Sequence, residues 1–199
     1  LTFRGLFESC NDRAESTKFA CYNFKYMELY EGLLSRRSIR RYTGGKIPEA
    51  DIEKIIRAGM YAPSANNKRP WHFIVVDDRE ILNRIMEAHP YAGMLSKASH
   101  AIVVCGDLDK QNAPGYYLLD CSAAIQNVLL AIHALGYGGV WLGVEPRMER
   151  INAVSEILGL PAHVRPVAVI SAGIPSGKPP KIPQRFEPGK IRRNMWKKK

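Results

Sequence analysis

The sequence has no Cys-x-x-Cys pair, and its 4 cysteines, Cys10, Cys21, Cys105 and Cys121, are scattered. The last two fall in apolar runs, where cysteine packs as a small hydrophobe. Neither a thiolate metal site nor a disulfide scaffold is supported, and a reducing cytoplasm is the expected compartment. No Gly-x-Gly-x-x-Gly turn is present, which removes support for a dinucleotide-binding crossover, and there are no internal repeats. The first residues do not read as a secretory leader, because Arg4, Glu8, Asp12 and Arg13 break the basic-then-apolar order. The longest apolar run, at 116–135, carries Asp120, Gln126, Asn127 and His133, which fits a buried helix better than a membrane span.

Acidic residues are the scarcer sign: 19 Asp and Glu face 29 Lys and Arg, a net charge of +10. That balance suits nucleic acid, an anionic membrane or a phosphorylated ligand. Much of the excess sits in one tail, where nine basic residues from Lys178 onward stand against Glu187 alone. No recognised nucleic-acid motif or ladder of aromatics accompanies them.

At 199 residues, 46% of them hydrophobic, the chain has the size of one domain with a sizeable core. Residues 1–26 lack clear periodicity and are expected to be a dispensable extension. The core is expected over 27–174, and an arm with a basic end over 175–199. Leu29, Tyr30, Leu33 and Leu34 share one helical face. A second helix starts at Pro48 with Glu49 and Asp51 in its first turn, carries the stripe Ile52, Ile55, Ile56, Gly59 and Met60, and stops before Pro63. Strands are expected at 71–76, 101–105, 140–144 and 164–171, and further helices at 81–86, 116–135 and 148–158. The last strand is apolar almost throughout, which implies burial on both faces. In the arm, Pro175, Pro179, Pro180, Pro183 and Pro188 forbid a helix or central strand, yet Phe186, Ile191 and Trp196 recur among them. An exposed tail has little use for three large apolar side chains, so the arm is expected to lie along a partner subunit.

Three stretches carry chemistry. Arg36-Arg37-Ser38-Ile39-Arg40-Arg41 places four guanidinium groups and a hydroxyl in six residues. A guanidinium fork matches a phosphate two bonds at a time, so this is a candidate anion site; the plain alternative is a solvated basic face. Ala62-Pro63-Ser64-Ala65-Asn66-Asn67 runs through Lys68-Arg69 into Pro70-Trp71-His72-Phe73. Its Asn67 amide offers both donors and an acceptor, although an ordinary asparagine-rich loop between helix and strand would read the same. Gly138-Gly139-Val140-Trp141-Leu142-Gly143-Val144 reads on its own as a buried strand beginning with glycine.

In this order and spacing the three stretches resemble the FMN-dependent nitroreductase family, over nearly the whole chain from residue 27 to 196. The resemblance implies an α+β fold: a mixed central sheet flanked by helices, in a homodimer with a long helix at the interface and an exchanged C-terminal arm. It implies that Arg36, Arg37 and Ser38 hold the phosphate and ribityl chain of FMN, with Arg185 completing the phosphate site. Arg40 would lie toward the pyrimidine edge, where a fixed cation stabilises the negative charge of reduced flavin. Pro63, Ser64, Ala65 and Asn67 would reach the flavin of the other subunit. The main chain of Trp141, Leu142, Gly143 and Val144 would run beside the ring, the Gly143 N–H directed at N5.

The activity implied is hydride uptake from NAD(P)H and reduction of an electron-poor small molecule, a nitroaromatic, quinone or flavin, by a ping-pong mechanism. No catalytic side chain, metal, nucleic acid or membrane is called for. Flavin fragmentation or reductive dehalogenation on the same scaffold, and a basic nucleic-acid-binding module, are the alternatives. The chain departs from the family pattern at three places: Arg69 stands where Gln is common, Pro183 where a basic residue is frequent, and Met94 where one branch has Lys. Lys181 and Lys97 are the nearest substitutes. His72 and His100 are expected to be structural, and Asp120 to be a carboxylate near a helix start or a residue approaching the other subunit's flavin.

Overall fold

The computed structural model describes residues 28–178 and 180–196, so the expected extension at 1–26 and the last lysines at 197–199 lie outside the described residues. The elements are α1 (Leu29–Ser35), α2 (Glu49–Met60), β1 (Trp71–Val76), α3 (Arg79–Ala88), β2 (His100–Asp107), α4 (Tyr116–Ala134), β3 (Gly138–Gly143), α5 (Met148–Leu158) and β4 (Val164–Gly173). The strands form one sheet in the order β1-β2-β4-β3, antiparallel at every pairing. The parallel component of the expected mixed sheet is a bridge outside the named strands, from Ser38 to Gly139.

Strand alternation divides the core in two. Ile102, Val104, Ile170 and Ala172 face α2 and α4, through Ile52, Ile55, Ile125 and Val128. Ala101, Val103, Val140, Leu142 and Val169 face α3 and α5, through Leu82, Ile85, Ile151 and Val154. Because helices cover both faces, β2 and most of β4 are buried along their length and read as continuous apolar runs.

The long apolar helix α4 has the length and composition of a membrane span, but one face of it is built into the core, while Leu119 on another face stays exposed. Tyr117, Cys121, Ala124, Ile125, Val128, Leu129 and Ile132 are buried, and the helix packs against α1, α2 and each of the four strands.

Two apolar surfaces stay largely exposed among the described residues, although Tyr30, Leu33 and Leu34 of the one and Ile182 and Phe186 of the other line a single cavity. In α1 the stripe of Leu29, Tyr30, Leu33 and Leu34 is 72%, 73%, 48% and 54% exposed. Among its described residues the arm forms no strand beyond a bridge from Pro175 to Tyr42, and its Ile182, Phe186, Ile191 and Trp196 stand exposed. A seven-residue helix cannot bury an apolar face against a sheet that α2 and α4 already cover.

Candidate active site

The chain leaves α1 at Arg36, where ψ turns to 135° and the backbone becomes extended. It then runs beside the start of β3, the Ile39 N–H donating to the Gly139 carbonyl at 3.0 Å. Gly138 allows this approach, since a Cβ there would lie 2.6 Å from Ile39 Cγ2. Tyr42 pins the segment from below: its hydroxyl donates to the Ile39 carbonyl at 2.8 Å and lies 2.7 Å from Ser171 Oγ. Burial pushes that phenol up to about 12.

The cations gather where this segment meets the arm. Arg36, Arg37 and Arg185, with Gln184 and Phe186, line a cavity of about 360 Å³. The Arg36 guanidinium is held below its ordinary range first by burial, then by the neighbouring charges of Arg185 and Arg37. Arg37 donates to the Leu34, Arg36 and Lys181 carbonyls, while its Nη2 is buried with no partner. Crowded cations with an unfilled donor make a site for an anion. Ser38 and Arg40 stand exposed on the same segment. Lys181 contributes its carbonyl to Arg37, and Pro183 lines the cavity.

Behind Arg37 lies a second cavity, about 250 Å³, lined also by Ser35, His133, Tyr137, Ser176 and Lys178. His133 Nε2 is 2.8 Å from Ser35 Oγ. Its imidazole is held below the usual histidine range by burial first, then by Arg36 and Arg37. Sequence reasoning missed His133 here, because nothing local marks a residue on the last turn of an apolar helix as the neighbour of arginines almost a hundred positions earlier.

Along β3, antiparallel alternation sets what faces outward. In such a strand the N–H and C=O of one residue point the same way, and residues two apart repeat the direction. The Gly139 carbonyl faces Ile39, away from β4, so the N–H groups of Trp141 and Gly143 face the same open edge. Leu142 and Val144 are buried and Trp141 is half-exposed. A Cβ on Gly143 would meet nothing nearer than the Glu145 carbonyl at 3.8 Å, so the space beside this glycine is open. The Gly143 carbonyl itself accepts from His89 Nε2 and from Arg150 Nη1, each at 2.9 Å.

The asparagine loop is tightly wound. The Asn67 N–H donates to the Ser64 carbonyl and the Arg69 N–H to Ser64 Oγ, both at 3.0 Å, so the Ser64 hydroxyl already shapes the loop. Asn66, Asn67 and Arg69 all take positive φ, at 49°, 53° and 47°, a conformation tolerated by asparagine and strained for arginine. Asp120 is buried a full turn inside α4, where its Oδ1 accepts from the Ala65 N–H at 2.9 Å and its Oδ2 has no partner. That bond ties the beginning of α4 to this loop within one chain. Pro63 and Asn67 project into solvent.

Within one chain these two halves stay apart. The loop leads into β1 and the arginine stretch lies on β3, the opposite edges of the sheet, so three strand spacings, about 14 Å, separate them. On α4, Asp120 and His133 mark the two ends, about 20 Å of helical rise apart. Other residues singled out by sequence have local partners. His72 faces Asp107 at 3.4 Å, His100 Nδ1 lies 2.8 Å from Ser99 Oγ, and Met94 packs in the α3–α5 core while Lys97 is exposed.

The Nitroreductase family profile matches residues 33–92 and 87–174. The chain belongs to the nitroreductase family. A Methanothermobacter thermautotrophicus relative, named as a candidate NADH dehydrogenase/NAD(P)H nitroreductase, is 44% identical over 170 residues, covering 85% of this chain and 88% of its own. A solved structure of a protein given the same name in Parabacteroides distasonis superposes with a TM-score of 0.81 at 42% identity, over 84% of this chain and 98% of that one. A candidate nitroreductase from Desulfovibrio desulfuricans, solved in complex with FMN, superposes at 0.73 with 29% identity, over 85% and 97% of the two chains. The antiparallel sheet and flanking helices described above are thus the nitroreductase fold, reached by this chain along most of its length.

Proposed function

We propose that this nitroreductase-family chain is an FMN-dependent oxidoreductase acting as a homodimer in the cytoplasm, where NAD(P)H is at hand. The observation that carries the reading is the cluster of Arg36, Arg37 and Arg185, with the buried, unpartnered Nη2 of Arg37. The donor set fits a dianionic phosphate, and the open edge of β3 beside Gly143 fits a flat ring.

When bound, FMN supplies a two-electron carrier that takes hydride from NAD(P)H and gives it to an electron-poor acceptor in two half-reactions. The chain's part is to bind and to orient. Arg36, Arg37 and Arg185 hold the phosphate, with Ser38 beside the ribityl chain. The outward N–H of Gly143 donates a hydrogen bond to the ring, next to the main chain of Trp141, Leu142 and Val144. Arg40 supplies positive charge at the ring's polar edge. Pro63, Ser64, Ala65 and Asn67 complete the site from the second subunit, since one chain keeps the loop and the arginines on opposite sheet edges. Residues 27–174 form the binding unit, and the arm at 175–199 covers the partner. A nitroaromatic, a quinone or a free flavin suits the acceptor role.

Purified protein should be yellow, release FMN on denaturation and oxidise NADH or NADPH when given menadione or a nitrofuran. Colourless protein that takes up no added FMN, yet binds DNA with a steep salt dependence, would reverse the assignment.

A further inference from the structure

We infer that His89 and Arg150 are positioning residues that fix Gly143 at the open edge of β3, and that Tyr91 ties them to the segment following α3. The inference rests on the flavin reading above for its consequence, and on geometry alone for the contact. His89 caps α3, buried to 1% exposure, its own N–H bonded to the Ile85 carbonyl. Its Nδ1 accepts from the Tyr91 N–H at 3.2 Å, so Nε2 carries the proton that is donated to the Gly143 carbonyl. Arg150, in the first turn of α5, donates to that same carbonyl. Tyr91 bridges the two, edge-on to the His89 ring at 6.2 Å and beneath Arg150 Cζ at 5.5 Å.

Two features separate this arrangement from ordinary packing. The Arg150 Nε is buried with no partner, and the guanidinium makes no ion pair among the described residues, so a charge is kept beside a neutral carbonyl at some cost to stability. The carbonyl chosen belongs to the last residue of an edge strand, the place where a strand frays most readily. Two donors from separate helices α3 and α5 hold its peptide plane, and through it the direction of the Gly143 N–H on the same edge. Where that N–H meets a bound ring, small displacements matter to reaction geometry.

The test compares His89→Leu and Arg150→Met with the donor-keeping variants His89→Gln and Arg150→Lys. In the ligand-free protein, amide exchange at Val144, whose N–H is bonded to Val167, should quicken in the first pair and recover in His89→Gln. In the FMN-loaded protein the first pair should keep FMN affinity within about threefold but slow flavin reduction by NAD(P)H by about tenfold or more, with a changed visible flavin spectrum. Unchanged Val144 exchange, or unchanged reduction rate and spectrum in loaded variants, would overturn the inference. If His89→Leu fails to fold, Arg150→Met decides by the same readings. Wild-type protein that binds no FMN would defeat the flavin reading instead, leaving the exchange measurement to judge the contact.

Discussion

Arg37 shows how much of this site is decided atom by atom. Three of its bonds go to main-chain carbonyls, and only Nη2 is left buried and unfilled, so the side chain is pre-oriented before any ligand arrives. Arg36 is the less constrained neighbour, partly buried and repelled by Arg185 and Arg37, and relief of that repulsion is a driving force for anion binding. Arg36→Ala should weaken FMN binding by about 1.5–3 kcal/mol, the range of a charge-assisted bond, as read by flavin titration. Unchanged affinity would remove Arg36 from the phosphate site. His133 feels the same cations. Its folded pKa lies below the ordinary histidine value of 6.5, so the folded state binds fewer protons than the unfolded state near that pH. Its contribution to stability is therefore complete above 6.5 and is lost as pH falls through the lowered value. Urea unfolding of the flavin-free protein should show stability falling as the pH is lowered below 6.5, and His133→Gln should flatten that fall.

At the scale of elements, β2 and β4 announce themselves by composition alone, since continuous apolar runs have to be covered on both faces and the fold covers them; α4 is as apolar, yet the fold buries one face of it and leaves Leu119 exposed. The arginine segment is different, since its position depends on how closely β3 can be approached. Gly138→Ala would force a Cβ to within 2.6 Å of Ile39 Cγ2. We expect this variant to displace the segment and lower flavin affinity with every arginine intact, and wild-type affinity would show that the segment tolerates the shift. The loop of Ser64 to Asn67 depends likewise on Asp120. Asp120→Ala would leave the Ala65 N–H without its acceptor, at a cost of about 1–3 kcal/mol for an unsatisfied partly buried donor. Faster proteolysis between residues 62 and 70 is the expected sign. The seven-residue α1 was legible as a helix from its spacing, but that spacing says only which side chains share a face. It does not say that the rest of the described residues leave them largely exposed.

For the whole molecule, the uncovered stripe on α1, the exposed apolar arm and the division of the site between opposite sheet edges have one common remedy, a second copy of the chain. Truncation after Ile174 should yield protein that associates poorly and holds little flavin, measured by sedimentation and absorbance; a fully loaded dimer would refute the role given to the arm. A complementary experiment mixes Arg36→Ala with Asn67→Ala at an FMN concentration low enough that each variant alone should stay largely unloaded and inactive. If each site draws its arginines from one subunit and its loop from the other, heterodimers regain one intact site and measurable activity returns. Continued inactivity after subunit exchange has been verified would mean that each chain builds its site unaided.

The sequence by itself determined the kinds of chemistry and the order in which they appear: a guanidinium run, an asparagine loop, a glycine-flanked strand, and apolar runs long enough to demand a core. These are local properties, fixed by residue type and spacing. Only the tertiary structure decided which groups meet. Gly143 acquires His89 and Arg150, Arg37 acquires His133 as a neighbour, and Asp120 becomes the anchor of a loop 55 positions earlier. The physical reason is that a strand's open edge and a helix's last turn gain partners from wherever the chain returns to bury them. That return is set by packing across the whole sheet, which no stretch of neighbouring residues can encode.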